Sequence, residues 1–281
     1  MKLWQCVPCV TDGGEAQIPV SYLEMAAAVP SPADSDLVAT ARLGVRALLA
    51  NTRADANAEG RPWTLGLEDA ALGLRVFHSE VPGCALLRFK GVCDLPAQFS
   101  PQFVQTAISD NAARLKWDSN MAALDTVVLR GPGAPAGAPP LDAGVRRVVM
   151  LRSATRPVGP VSAREFVDVT LICDDAFEGV PPGSVVSGGA GAVDDARFPE
   201  QPGFVRGWNS PGCGWLFERR ADGGTRVHYV IQSDLKGWFM SFVVNNVLTG
   251  SFVTFFTDVR KQLLSLEARG SVAGETPASP A

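Results

Sequence analysis

The chain has 281 residues, 46% of them hydrophobic, enough apolar material for one sizeable core or two small ones. Its net charge of -4 lacks the basic excess of a nucleic-acid-binding surface, and any membrane contact has to be made without bulk positive charge. Six cysteines in a chain of this length do not make a disulfide scaffold, and Cys6 and Cys9, a lone C-x-x-C, lack the further ligands of a zinc site, so neither a metal nor a cofactor is expected.

Residues 1–18 read as an N-terminal tail. They hold one Lys, Asp12 and Glu15 and no long apolar run, so neither a secretory signal nor an Arg-rich presequence is expected, and the expected location is cytoplasmic. From 22 to 50 the pattern is helical, broken at Pro30 and Pro32, and Asp34 or Ser35 is placed to cap a second segment that runs through Leu49. Trp63, Thr64 and Leu65 open a sheet. Strands follow over 73–80 and 85–92, joined across Val81, Pro82 and Gly83, where glycine takes the backbone angle that the turn requires.

A helical stretch over 100–115 ends at Trp117 and Asp118. The next strand spans 123–130 and leads into 131–144, a run of Gly, Ala and Pro with a single charge, which reads as a long exposed loop. Strands at 147–153 and 166–173 flank a proline-containing connection over 155–162. The glycine-rich segment 183–194 has no G-x-G-x-x-G and no P-loop lysine, which argues against a phosphate cradle. Segments 204–208, 213–219 and 225–233 complete the sheet, with Asp222, Gly223 and Gly224 as the last hairpin turn.

In the last of these strands Val227, Tyr229 and Ile231 alternate with Arg226, His228 and Gln232, giving two chemically different faces. After Asp234-Leu235-Lys236-Gly237-Trp238 the run 238–256 contains no charge. A lone membrane span of that length would carry Asn245, Asn246, Thr249, Gly250, Ser251 and Thr254 with no partner helix to satisfy them, so the run reads as a helix buried within the fold. Val244, Leu248, Ser251, Phe255 and Val259 line one side of it at helical spacing. Residues 267–281 read as a disordered C-terminal tail. No G-x-S-x-G or H-E-x-x-H occurs, and both histidines, His78 and His228, fall on predicted strands, which favours binding over catalysis.

DLKGW followed by FMSFVVNNVLTGSFVTFFTDVRKQLL resembles the closing strand and C-terminal helix of the START domain family, and most resembles its sterol-binding members. The family's order is kept by Arg114-Leu115-Lys116-Trp117-Asp118, Arg164-Glu165-Phe166-Val167, Phe198-Pro199-Glu200-Gln201 and Ser210-Pro211-Gly212-Cys213. The START-like domain is accordingly placed at 19–266. Periodicity alone gives only an α+β, mostly antiparallel fold. The resemblance implies a helix-grip fold: a curved antiparallel sheet of about nine strands wrapped around a long C-terminal helix, with an internal lipid cavity gated by that helix.

It further implies one bound lipid (sterol, ceramide or phospholipid, in that order), intracellular lipid transfer or sensing, transient contact with membranes, and a monomer. A lipid-regulated scaffold, or an enzyme acting on a lipid in the same pocket, is the alternative. The helix face Val244, Leu248, Ser251, Phe255 and Val259, with Leu235 and Asn209, is implied to line the cavity. Where the sterol-binding relatives carry a buried Arg and its acidic partner, this chain has Thr170 and Leu151. That departure disfavours a phosphate-bearing lipid and leaves the polar end to Asp168, Thr170, Ser251 and Asn209. Asp168 shares a strand face with Thr170, although an unpaired buried carboxylate is costly.

Overall fold

A computed structural model of the chain describes residues 34–159, 161–191, 195–236 and 241–273; the side chains of residues 85, 241–247 and 270–273 are outside that description. The tail at 1–18, Cys6, Cys9, the first helical segment of 22–50 and Gly237 lie outside the described residues. The chain begins with α1 (Asp34–Asn51), β1 (Thr64–Asp69), β2 (Leu74–Val81), β3 (Cys84–Leu95), α2 (Pro101–Ser109) and α3 (Asn111–Trp117). It continues through β4 (Met121–Arg130), β5 (Val145–Thr155), β6 (Arg164–Cys173), β7 (Val185–Ala190), β8 (Val205–Arg206) and β9 (Trp208–Asn209). The last elements are β10 (Gly214–Arg219), β11 (Thr225–Ile231), β12 (Ser233–Asp234) and α4 (Ser241–Ala273).

One large sheet has the order β1-β2-β3-β11-β10-β7-β6-β5-β4, antiparallel throughout, with β8 parallel beside β6. The first three strands meet the last two at its centre, where Leu95 opposes Thr225 and Phe89 opposes Ile231. Strand alternation then sorts the side chains of β6 onto two faces. Val167, Val169 and Leu171 pack under α1 with Val38, Ala41, Val45 and Leu48. Phe166, Asp168, Thr170 and Ile172 point the other way.

The glycine-rich segment holds a strand that the sequence pattern hid, because glycine weakens every strand signal. All six residues of β7 are buried. A Cβ on Gly44 of α1 would lie 1.9 Å from the Gly189 oxygen, so the missing side chain lets the helix rest on the strand backbone. The segment expected as a strand over 204–208 is two short pieces instead: β8, and β9 paired with β12.

The helical stretch expected over 100–115 is split at Asp110, whose N–H donates to the Thr106 oxygen to close α2 while its carboxylate accepts from the Ala113 N–H to start α3. On the face opposite α1, α4 seats on β3 at Gly91, where a Cβ would come within 2.5 Å of Phe252. Phe252, Phe255, Phe256, Val259 and Leu263 are buried there. The helix runs to Ala273, beyond the expected boundary at 266, so the expected C-terminal tail starts as helix. Among the described residues no helix is long and apolar enough to cross a membrane.

Candidate functional site

Between α2 and α3 and the sheet face that carries Asp168 lies a cavity of about 470 Å³, within the ~300–1,000 Å³ of small-molecule sites. Its floor is largely apolar: Val149, Leu151, Phe166, Ile172, Trp215, Tyr229 and Ile231. Ser109, Asp110, Asn111 and Arg114 come from the α2–α3 junction, and Gly188, Gly189 and Gly191 leave bare backbone along one wall. Asp110 thus serves both as the cap that breaks the helix and as part of this wall.

The polar end is built on Asp168. The Ser233 hydroxyl donates to Asn209 Oδ1 at 2.6 Å, and Asn209 Nδ2 donates to Asp168 Oδ2 at 2.9 Å. Asp168 Oδ1 is buried and makes no hydrogen bond. Burial pushes the carboxyl up to about 7, against the opposing pull of the Asn209 bond, so it is poised between its neutral and charged forms near neutral pH.

Arg147 also lines the cavity, four residues along β5 from Leu151, or about 13 Å. The loss of the family's arginine from β6 disfavours phosphate-bearing lipids, but Arg147 returns a cation to the wall from another strand. Its outward or inward direction could not be read from a segment in which Arg146 and Arg147 are adjacent.

Of the expected site residues, Leu151, Asp168, Thr170 and Asn209 line the cavity. The register sets Leu151 opposite Asp168 and Val149 opposite Thr170, so Leu151 and Thr170 are diagonal neighbours and not a cross-strand pair. Phe255 and Val259 do not reach the cavity; they are buried in the core between α4 and the sheet. Leu248 packs at the edge of that core and Ser251 is half-buried. Leu235 contributes its carbonyl, which accepts from Arg164 Nε at 2.6 Å. The Val244 side chain lies outside the described residues. Among the described residues, no part of α4 lines this cavity. The physical reason is aromatic bulk: Trp215 and Tyr229 occupy the space between α4 and the cavity, and Phe255 packs on their far side.

The Arg164-Glu165-Phe166-Val167 motif holds this arrangement in place. Arg164 donates to the carbonyls of Leu235, Lys236 and Ser162, tying the start of β6 to the approach to α4. Burial alone would raise the Glu165 carboxyl, but bonds from Arg152, the Gln201 N–H and Arg206 outweigh it and hold the group below the usual carboxylate range. Phe166 then turns into the cavity wall.

A family model described as START domain matches residues 75–269. The chain is 32% identical over 115 residues to the steroidogenic acute regulatory protein of Xenopus laevis, covering 41% of this chain and 38% of that protein. It is 27% identical over 157 residues to StAR-related lipid transfer protein 5 of Homo sapiens, covering 53% of this chain and 62% of that protein. Each match therefore spans less than two thirds of the relative's length. Among solved structures, human StAR-related lipid transfer protein 5 superposes with a TM-score of 0.58 at 20% identity, covering 73% of this chain and 88% of that one. A fragment of the STAR-related lipid transfer protein from Xanthomonas axonopodis gives 0.53 at 20% identity, covering 72% and 98%. Sheet order, the helix seated on Gly91 and the matched span agree with one another, and the chain belongs to the START domain family.

Proposed function

We propose that the chain binds a single lipid in this cavity, a sterol or other neutral lipid first, and carries it between intracellular membranes or senses it. The observation that carries this reading is the 470 Å³ cavity with an apolar floor and polar side chains at the Asp168 end and along the α2–α3 wall, in a chain whose relatives include a protein named for lipid transfer. Burying several hundred Å² of a lipid there is worth on the order of 10 kcal/mol before ordering and association costs, enough for tight but reversible carriage.

Carriage is favoured over turnover by where the histidines sit. His228 Nε2 lies 3.0 Å from the Glu218 carboxylate and His78 lies beside Phe89, and neither lines the cavity. In this reading the protein works as a cytoplasmic monomer that touches membranes transiently, with α4 and the α2–α3 junction as the gate. Ceramide and phospholipid follow sterol as ligands, and Arg147 is what keeps the phospholipid in the set.

The test is native mass spectrometry of the protein purified from cells, followed by lipid extraction. A stoichiometric neutral lipid is the expected result. An empty protein that also takes up no sterol, ceramide or phospholipid in vitro overturns the reading in favour of a lipid-independent scaffold.

A further inference from the structure

At the cavity's polar end Asp168 offers an acceptor whose hydrogen-bonded neighbours are already committed, and Thr170, two residues along the same strand face, also lines the cavity. The Ser233 hydroxyl is committed to Asn209, and the Asn209 amide to Asp168 Oδ2. What remains of that chain of bonds is Asp168 Oδ1, buried and without a partner. A buried oxygen in that state carries a desolvation cost that any donor would relieve. The rest of the Asp168 side chain is half-buried and forms part of the cavity lining. Since the last torsion of an aspartate is soft, the carboxyl can turn the unpartnered oxygen toward an occupant, provided that the Asn209 amide follows the other oxygen.

We propose, resting on the lipid-binding reading above, that Asp168 makes the cavity select lipids whose buried polar end is a hydrogen-bond donor, a hydroxyl or a protonated amine, over lipids that end in a ketone or ester. A donor completes the Ser233–Asn209–Asp168 chain of hydrogen bonds. A ketone oxygen at the same place faces the lone pairs of a carboxylate. Leu151 across from Asp168, and Phe166 two residues before it on the same strand face, supply apolar wall next to the carboxyl, so the discrimination acts on the end of the ligand and not on its body.

The experiment uses the full chain at pH 8, above the carboxyl's value of about 7, and three ligands with one skeleton: cholestanol, 3-aminocholestane and cholestan-3-one. Competition binding is expected to rank one or both donors above the ketone by about 10-fold or more. Asp168→Leu should bring that ratio near one while the variant still binds the ketone. Asp168→Asn, whose amide oxygen has to take over the Asn209 bond and whose NH2 then faces the occupant, should erase the advantage of both donors over the ketone. Equal affinity for all three in the wild-type chain, or a ratio unchanged in Asp168→Leu, overturns the inference and leaves lipid binding standing. If Asp168→Leu does not fold, the wild-type ranking and Asp168→Asn decide. Uptake of none of the three, nor of ceramide or phospholipid, overturns the lipid-binding reading and this inference with it.

Discussion

Trp215 on β10 and Tyr229 on β11 stack face to face, with ring centroids 3.6 Å apart and planes within 4°. Phe255 of α4 closes on the pair, 5.0 Å from Trp215 and 5.8 Å from Tyr229, and Trp117 of α3 reaches the same phenyl ring at 6.0 Å. The stack is therefore the partition between the cavity and the core under α4. Phe255→Ala is expected to remove about 3–5 kcal/mol of stability, because the hole it leaves is lined by rigid rings that relax poorly. Urea denaturation followed by tryptophan fluorescence reads this directly. A loss below 1 kcal/mol would mean that α4 is not held by this contact.

Filling the cavity has to be done from the sheet. Leu151 is half-buried on β5 and lines the cavity opposite Asp168. Leu151→Trp is expected to place the indole in the open volume, abolish lipid loading and change stability by no more than about 1 kcal/mol, since the added atoms enter space and not a packed core. Lipid loading measured by native mass spectrometry beside a urea titration checks both halves. Full loading with unchanged stability would show that the ligand sits elsewhere.

The order of elements was legible because β4, β5, β6, β10 and β11 carry strong apolar alternation and α4 an uninterrupted helical stripe. What stayed hidden has specific causes. β7 reads as a loop because Gly188 and Gly189 trade strand signal for close approach of α1. Phe255 and Val259 fall on the helix face that the family resemblance assigns to the cavity, but periodicity says only which side is apolar, and the Trp215–Tyr229 stack decides what that side touches. Asp168 was legible as sharing a face with Thr170; that one of its oxygens would be unpartnered depends on Asn209, far along the chain.

The Asp168 carboxyl ties stability to pH in a direction opposite to most carboxylates. Its folded value, about 7, is raised by burial above the ordinary 3.8. The folded state thus holds the proton more tightly than the unfolded chain, and the stability this gives is fully present below the unfolded value and lost as pH rises toward 7. The ionisable groups facing it, the Cys213 thiol and the Tyr229 hydroxyl, are themselves raised by burial and stay neutral across this range. Relative to Asp168→Asn, the ligand-free wild-type chain is expected to lose up to about 4 kcal/mol between pH 4 and pH 7. Parallel urea curves for the two proteins at several pH values test it, and parallel pH dependences would show that Asp168 does not titrate in this window.

Arg164 links the sheet to the approach to α4. The side chain is 3% exposed and donates to the Leu235 carbonyl at 2.6 Å, the Lys236 carbonyl at 3.2 Å and the Ser162 carbonyl at 2.7 Å. Lys236 needs such an anchor: with φ at 50° it sits in the left-handed region that non-glycine residues seldom adopt. Arg164→Met keeps the apolar stem and strands these carbonyls, at a cost of about 2–4 kcal/mol. The loss should also be local. Hydrogen exchange followed by mass spectrometry should show faster exchange in peptides spanning 230–245 than in those from β3 or β6. If α4 and its approach act as the gate, lipid release from the variant should quicken as well. Uniform loss of protection across the chain would make Arg164 an ordinary core contact, and an unchanged release rate with local fraying at 230–245 would place the gate at the α2–α3 junction alone.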